Sequence, residues 1–216
     1  MKEHPILFSG PMVKAIMEGR KTMTRRVIKP QPTKGETVCS WTCNGKLLDW
    51  GIADADGDPL DVSLKCPYGI PGDLLWVREA FATRPLPDGG EQVLFKEQFR
   101  NLWSVLQLEQ FIEERGMAKP DIKWKPGMFL PRELSRLTLR VTAVRVERVQ
   151  DISGMDAKRE GVNIPAHMPQ DGADLDWAKK EFALLWDSIN AKRGYGWDAN
   201  LWVWVVSFEK LKEVEG

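Results

Sequence analysis

Histidine, cysteine and net charge are all scarce in this chain of 216 residues. It has two histidines and three cysteines, and its 31 basic residues balance 31 acidic ones, so the formal net charge is zero. An odd number of cysteines does not form a disulfide framework. Two histidines leave little room for histidine-based catalysis. Acid–base chemistry therefore falls mainly to lysine, glutamate, aspartate or tyrosine.

Long apolar runs are also missing. The N-terminal stretch "MKEHPILFSGPMVKAI" contains no apolar segment of the length found in secretory signals. No other stretch approaches the roughly 18 apolar residues of a membrane-spanning helix. The sequence therefore predicts a cytoplasmic protein without membrane association, and no feature indicates an obligate protein partner.

The cysteines give little support for a metal site. Cys39 and Cys43 are four positions apart and Cys66 lies far downstream. A structural zinc site takes four ligands, commonly in paired short spacings, and neither His4 nor His167 is placed like a zinc-finger histidine. We expect free, partly buried thiols, with structural zinc as the minor alternative, and neither a metal nor an organic cofactor.

What the sequence does contain is a basic cluster around "EGRKTMTRRV", residues 18–27. Between positions 14 and 29, six basic residues face one acid: Lys14, Arg20, Lys21, Arg25, Arg26 and Lys29 against Glu18. Because the whole chain is neutral, the remainder is net acidic. Such a cluster is either a solvated surface or a site for a negatively charged ligand.

The N-terminal half predicts few regular elements. "HPILFSG" is typical of a short strand, followed by a helix with Pro11 in its first turn, a buried stripe of Val13, Ile16 and Met17, and Gly19 as its stop. Residues 31–66 indicate a long, loosely structured insertion. A strand is expected from about residue 74 to 81, and residues 84–130 form a second insertion with a helix near 104–115.

The C-terminal half is more regular. "LTLRVTAVRVERV" predicts a long strand whose alternation shifts after Ala143, which favours a β-bulge. "SGMDAKREG" predicts a short helix capped by Ser153 and Asp156. An amphipathic helix over 175–190 buries one face (Ala178, Phe182, Leu185, Trp186 and Ile189), and the apolar "NLWVWVVSF" predicts a central strand. Together these elements favour one α+β domain over 1–216, a small mixed β-barrel with flanking helices and two insertions.

Three segments resemble a known family. "EGRKTMTRR", "DAKREGV" and the terminal "WVWVVSFEKL" are similar to the ASCH domains, members of the PUA-like superfamily of small β-barrels. The family signature places a glycine, a lysine, a polar or acidic residue and an arginine at the positions of Gly19, Lys21, Thr24 and Arg26. Many ASCH domains carry glutamate where this chain has Thr24.

Threonine at that place resembles the small bacterial ASCH proteins that hydrolyse N4-acetylcytidine. The resemblance implies a lysine proton acceptor at Lys21, a threonine nucleophile at Thr24 and a glutamate proton donor at Glu160, within an "A-x-x-E" turn that starts at Ala157. The chain also resembles longer, often phage-borne ASCH proteins that contain "CPYG-x-PGD-x-LWVRE". The resemblance covers both ends and the middle strands but neither insertion.

Physical chemistry sets conditions on Lys21. Cations just after a helix end complement the helix dipole, so Arg20 and Lys21 also fit a purely structural role. With an ordinary pKa of about 10.4, Lys21 needs desolvation or neighbouring cations such as Arg25 and Arg26 to act as a base. Residues three apart converge only where the chain turns. A Lys21–Thr24 pair therefore requires a turn after Gly19 and a strand that begins near Thr24.

Two further positions carry alternatives. Glu160 lies in the last turn of a short helix, against the dipole preference, which is typical of a functional carboxylate but also of a solvated one. Trp76 and Arg78 share one face of their strand, where an aromatic ring can stack on a base and a guanidinium can contact phosphate. Core packing is the alternative role for Trp76.

The sequence thus favours an enzyme that hydrolyses the amide of an acylated cytosine, with Lys21, Thr24 and Glu160 as catalytic residues. The substrate-binding residues would be Gly19, Arg25, Arg26, Trp76 and Arg78. The ligand would be a nucleoside or a single-stranded nucleic acid. Two alternatives remain: a non-catalytic RNA- or DNA-binding module that uses phosphate contacts and stacked bases, and a ribonuclease.

Overall fold

The computed structural model describes residues 1–33, 35–43, 46–85, 90–97, 122–165, 167–168 and 172–211. This part of the chain has a mixed α+β fold, as expected. Its strands are β1 (Glu3–Leu7), β2 (Met23–Val27), β3 (Thr37–Cys43), β4 (Lys46–Ala53), β5 (Pro59–Leu64), β6 (Leu74–Arg78), β7 (Phe81–Pro85), β8 (Glu91–Phe95), β9 (Thr138–Arg148) and β10 (Trp202–Lys210). Its α-helices are α1 (Gly10–Met17), α2 (Gly154–Arg159) and α3 (Ala173–Asn190). No helix in the described ranges is long and apolar enough to cross a bilayer.

The central sheet has five strands in the order β1-β6-β9-β10-β2. β1 and β6 run parallel, and the other neighbouring pairs are antiparallel. β1 and β2 form the two edges, so the backbone hydrogen bonds of the described strands do not close the sheet into a barrel. The basic segment nevertheless lies at one edge of this mixed sheet, because part of it forms β2.

β10 is the central strand that its apolar sequence predicts, because it pairs with β9 on one side and β2 on the other. Trp204, Val206 and Phe208 pack on one face with α1 and the strands β6 and β9. Val203 and Val205 pack on the opposite face against α2 and α3. Burial on both faces explains why this strand has no polar alternation.

β9 is the predicted long strand, and the predicted bulge is present. Opposite β10, Ser207 pairs with Ala143 while Phe208 pairs with Val141. Thr142 is therefore the extra residue of a β-bulge, which restores the inward direction of the side chains that follow.

Residues 31–66 correct the expectation of a loosely structured insertion. β3, β4 and β5 form an antiparallel three-stranded sheet. The edge of the Trp50 ring packs on Trp204 of β10, with ring centroids 5.7 Å apart. Ile52 and Leu64 belong to the main core. Some of the glycine, aspartate and proline residues of this segment lie in the turn after β4. There the side chain of Asp54 accepts hydrogen bonds from two backbone N–H groups that follow it.

Part of the second expected insertion lies within the described residues. The strand expected over 74–81 is split: β6 ends at Arg78 and β7 begins at Phe81, where it pairs with β8 as a hairpin. The buried Glu79 lies at the break and forms an ion pair with Arg136, 2.9 Å away. The helix expected near 104–115 lies outside the described residues.

The helices match their sequence patterns with three exceptions. Ala178, Phe182 and Trp186 of α3 are buried, and Ser153 caps α2 by accepting a hydrogen bond from the Asp156 N–H. Three residues expected in buried stripes are partly exposed instead: Met17, Leu185 and Ile189. The two on α3 line the cavity described next.

Candidate functional site

A cavity of about 470 Å³ opens where the two edges of the central sheet come near each other. Leu7 and Phe8, at the end of β1, line one side, and residues 24–27 of β2 line another. Side chains of α3 and the loop after it complete the wall. The aromatic residues in the lining are Phe8, Tyr68, Phe182, Trp186 and Tyr195. An apolar, partly aromatic cavity with a few polar groups has the usual composition of a small-molecule site.

The turn after α1 directs Lys21 inward. Gly19 has φ of 75°, a left-handed conformation that ends the helix. The backbone N–H groups of Arg20 and Lys21 then both donate to the carbonyl of Ala15, at 2.9 and 3.0 Å. Regular strand begins only at Met23. The turn-like geometry that a catalytic Lys21 requires is therefore confirmed.

Lys21 is buried, and its amine is fully hydrogen-bonded. The amine Nζ donates to the carbonyl of Met23 at 2.8 Å, to the carbonyl of Glu160 at 2.7 Å and to Glu160 Oε2 at 2.7 Å. Burial lowers the pKa of the Lys21 amine, and the neighbouring charges of Arg26 and Arg25 act in the same direction, while Glu160 opposes them. The amine is desolvated, as a lysine base requires.

Glu160 reaches the site from the end of α2. Its backbone forms an isolated antiparallel bridge with Lys21, and its second carboxylate oxygen, Oε1, accepts from Arg25 at 3.4 Å. The next residue, Gly161, has φ of 92°, and a Cβ there would lie 3.0 Å from the Cβ of Lys21 and 3.1 Å from that of Ala15. Glycine at 161 thus lets the two segments meet.

Thr24 supplies a hydroxyl that is not committed to the fold. The residue is buried, lies on β2 opposite Val206 and lines the cavity. Its hydroxyl forms no hydrogen bond with any residue in the described ranges, and in particular none with Lys21, whose three donors point elsewhere. The Thr24 hydroxyl is therefore available to a ligand.

Arg25 points to the other face of β2, toward α2 and α3. Its guanidinium donates to Glu147 at 2.9 Å and to Asp156 at 3.2 Å, and it lies 5.9 Å from the centroid of the Phe182 ring. Arg145 pairs with the same two carboxylates. Arg25 thus links Glu160 to a network of ion pairs, and only its buried Nε has no partner within the described part of the chain.

Arg26 shares the face of Thr24, as alternation predicts. Its guanidinium donates to the carbonyl of Leu7 at 2.7 Å and lies 5.1 Å from the centroid of the Phe8 ring. This contact connects the two edges of the sheet directly. Burial lowers the pKa of the Arg26 guanidinium, and nearby Tyr68 and Glu160 oppose that shift.

The remaining residues expected to bind substrate do not line this cavity. Trp76 and Arg78 stack on each other, with 4.6 Å between the guanidinium carbon and the ring centroid. Trp76 is buried, which matches its alternative role in packing. Gly19 shapes the turn and does not line the cavity. The cavity thus gathers Thr24, Arg25, Arg26 and Glu160, with Lys21 behind Glu160.

Several lining residues were not anticipated from the sequence, notably Lys29, Tyr68, Arg193 and Tyr195. Lys29 belongs to the basic cluster, but only its charge suggested a place in the site. Tyr68 lies in the "CPYG" turn and Arg193 in the "KRGYG" loop, and glycine-rich loops next to basic or aromatic residues are the signal that was available.

The described residues contain no cluster of three or more histidine, cysteine, aspartate or glutamate side chains that suits a metal ion. Cys39 and Cys66 are free thiols. Burial raises the pKa of the Cys66 thiol to about 11, so this thiol stays protonated near neutral pH.

No protein-family model, curated protein or solved structure matches this chain.

Proposed function

We propose that this protein is an ASCH-type, PUA-like hydrolase that removes the acyl group from an N4-acylated cytosine. One observation carries the proposal: the buried Lys21–Glu160 pair adjoins a cavity into which Thr24 presents an uncommitted hydroxyl. These are the three positions implied by the family resemblance. The contact of Arg26 with the end of β1 supports the barrel-like assignment, because it bridges the open side of the sheet.

The Lys21–Glu160 hydrogen bond supplies both proton-transfer groups. Moving one proton across the 2.7 Å between Nζ and Oε2 converts an ammonium–carboxylate pair into a neutral amine and a carboxylic acid. Burial favours the neutral amine of Lys21 because it penalises charge. A neutral Lys21 keeps two N–H donors and gains a lone pair. Because this lone pair faces Glu160, the amine must move away from that carboxyl before it can accept the Thr24 proton.

Acylation then proceeds by nucleophilic attack. The Thr24 oxygen bonds to the acyl carbon, and its proton passes to Lys21. When the bond between the acyl carbon and N4 breaks, Glu160 gives its proton to the departing amine of cytosine. In the second half, water attacks the acyl carbon and gives one proton to Glu160. The bond between the Thr24 oxygen and the acyl carbon breaks, Lys21 returns a proton to that oxygen, and the acyl group leaves as a free carboxylic acid. The Thr24 hydroxyl, the neutral Lys21 amine and the protonated Glu160 side chain are restored.

A backbone N–H is placed to stabilise the oxyanion. Ile28 N donates to the carbonyl of Trp202 on β10. In an antiparallel pair every second residue is hydrogen-bonded to the neighbouring strand, so residues 26 and 24 of β2 also direct their backbone groups toward β10. The N–H of Arg25 consequently points away from β10, toward the free edge beside Thr24. Such a fixed donor suits the negative charge that develops on the acyl oxygen.

The second candidate function is a binding module without turnover. The hydrogen bonding of Lys21 favours a binding module, because all three donors of its amine have acceptors. An ammonium that donates three short hydrogen bonds is well suited to a structural role. In that case the cavity holds the same base, and Thr24 serves as a hydrogen-bonding contact.

Hydrolysis of N4-acetylcytidine separates the two candidates. The purified chain is incubated with the nucleoside, and cytidine is resolved by chromatography. We expect release of cytidine by the wild type, loss of at least about 10³-fold in Thr24→Ala, and partial activity in Thr24→Ser, which keeps a hydroxyl. Full activity of Thr24→Ala would eliminate the nucleophile. Tight binding without release of cytidine would support the binding module.

A further inference from the structure

The cations of the cavity divide into two groups. Lys21 and Arg25 lie deep in the fold and are neutralised by Glu147, Asp156 and Glu160. By contrast, none of three other cations (Arg26, Lys29 and Arg193) forms an ion pair with a carboxylate in the described ranges. All three line the cavity. In a chain with no net charge, this is a local excess of positive charge beside an aromatic cavity.

Lys29 and Arg193 stand at the exposed rim, and neighbouring contacts define their positions. Lys29 Nζ lies 4.9 Å from the centroid of the Tyr195 ring. Trp186 holds the same loop by donating from its indole to the Tyr195 carbonyl at 2.8 Å. Gly194, with φ of 79°, turns the chain between Arg193 and Tyr195. The loop after α3 thus places Arg193 and Tyr195 at the cavity beside Lys29.

Arg26 connects this rim to the interior. One guanidinium nitrogen bonds to the Leu7 carbonyl, whereas its buried Nε has no partner among the described residues. Burial lowers the pKa of Arg26, and the charge of Arg193 adds to that shift. Burial raises the pKa of Tyr68, and the charges of Arg26 and Lys29 oppose that shift, so these groups act on one another across the cavity.

We propose that Arg26, Lys29 and Arg193 form a phosphate site at the mouth of the cavity, so that the preferred ligand is a cytosine nucleotide and not the free nucleoside. This inference rests on the proposed function in that both place cytosine in the same cavity. The aromatic wall takes the base, and the rim cations take a phosphate on the sugar.

The start of α1 is the competing position for an anion, because helix N-termini attract negative charge and Ser9 and Gly10 also line the cavity. The buried carboxylate of Glu97, however, lies against Gly10, in the space that a Cβ would occupy there. A phosphate near it would meet like charge. Among the described residues, no carboxylate forms an ion pair with Lys29 or Arg193, which stand at the rim.

Calorimetric binding at low salt tests the phosphate site. The probes are cytidine and cytidine 5′-monophosphate, and the test variant is Lys29→Ala/Arg193→Ala. Lys180→Ala/Lys192→Ala is the matched control, because it removes the same charge from exposed positions that do not line the cavity. Thermal unfolding verifies that all three proteins are folded.

We expect the monophosphate to bind the wild type and the control at least roughly tenfold more tightly than cytidine, as two charge-assisted contacts allow. In Lys29→Ala/Arg193→Ala the preference for the monophosphate over cytidine should fall to about twofold or less. Equal affinities for the two probes in the wild type, survival of the preference in the test variant, or no binding of either probe would overturn the phosphate site.

Two further measurements keep the proposals separate. If N4-acetylcytidine is hydrolysed but the monophosphate is not preferred, the phosphate site is wrong and the hydrolase stands. If the monophosphate is preferred without hydrolysis, the hydrolase is wrong and the phosphate site stands. Competition by a short oligoribonucleotide with internal cytidines identifies a polymer as the source of the phosphate. Its failure to compete identifies a free nucleotide.

Discussion

The Lys21 amine lies 2.7 Å from a carboxylate oxygen of Glu160, across a sequence separation of 139 residues, and the two side chains are only 1% and 5% exposed. This pair ties the turn after α1 to the end of α2. Burying two charges is costly unless every polar atom has a partner. Here the amine has three acceptors, and Arg25 contacts the second carboxylate oxygen.

Breaking this pair should destabilise the fold. We expect Lys21→Met and Glu160→Gln each to lower the free energy of unfolding by about 3–5 kcal/mol, because each leaves a buried polar partner uncompensated. The double variant should lose clearly less than the sum of the two. Urea denaturation of the four proteins measures this coupling. Strict additivity would mean that the two side chains do not stabilise each other.

The rate of hydrolysis should depend on the protonation of Lys21. Burial and the nearby cations lower the pKa of its amine, so the neutral base forms below the ordinary value of about 10.4. Activity should fall as pH rises through that lowered pKa, because the pair then loses the one proton that the mechanism shares between Lys21 and Glu160. Replacing Arg26 by Gln removes a positive charge and raises the pKa of Lys21, which should move the falling limb of the pH–rate profile to higher pH.

Arg140→Gln is the matched control for this profile, because Arg140 is exposed and pairs with Glu209 away from the cavity. Its falling limb should coincide with that of the wild type. A limb that stays in place when Arg26 is changed would show that Lys21 is not the group that titrates.

Alanine at Gly161 should be more harmful than alanine at another left-handed glycine. Gly161 and Gly72 have φ of 92° and 96°, but a Cβ at 72 would meet no atom within 4 Å, whereas one at 161 would press on Lys21 and Ala15. Both variants pay about 1–2 kcal/mol for the backbone conformation. Gly161→Ala should lose at least about 1 kcal/mol more through overpacking. Equal denaturation midpoints would contradict this reading of the contact.

Asp73 should make the stability depend on acid. Burial raises the pKa of its carboxyl, but hydrogen bonds from the Lys2 and Ile70 N–H groups, together with the His4 imidazole 3.5 Å away, outweigh burial and hold it below the ordinary value. Its stabilisation is therefore complete above the unfolded pKa of about 3.9 and is lost as pH falls through the lower folded pKa. Asp73→Asn should cost about 1–3 kcal/mol at pH 7.

Urea denaturation at several pH values between 7 and 3 measures the difference between the wild type and Asp73→Asn. The difference should shrink toward pH 3, because the carboxyl of the unfolded chain then binds a proton more readily than the folded carboxylate does. A difference that stays constant down to pH 3 would remove Asp73 from the groups responsible for acid sensitivity.

Much of the fold was predictable wherever one periodicity dominates. The apolar residues of β10 indicated a strand buried on both faces, and the phase shift in β9 indicated the bulge now seen at Thr142. The three strands of residues 31–66 were not predicted, because the many turn residues of this segment are typical of loops. Leu185 and Ile189 follow the helical stripe of α3, yet they face a cavity, since periodicity does not reveal what lies opposite a face.

The sequence by itself determined the local conditions of the site: a helix stop at Gly19, a turn that brings Lys21 inward, and a strand on which Thr24 and Arg26 share a face. These follow from backbone preferences over a few residues. Only the tertiary structure decided which charges are neutralised. Within the described part of the chain, Lys21 and Arg25 are paired with carboxylates, whereas Lys29 and Arg193 are not, because the partners come from distant segments that meet only when the sheet and helices pack.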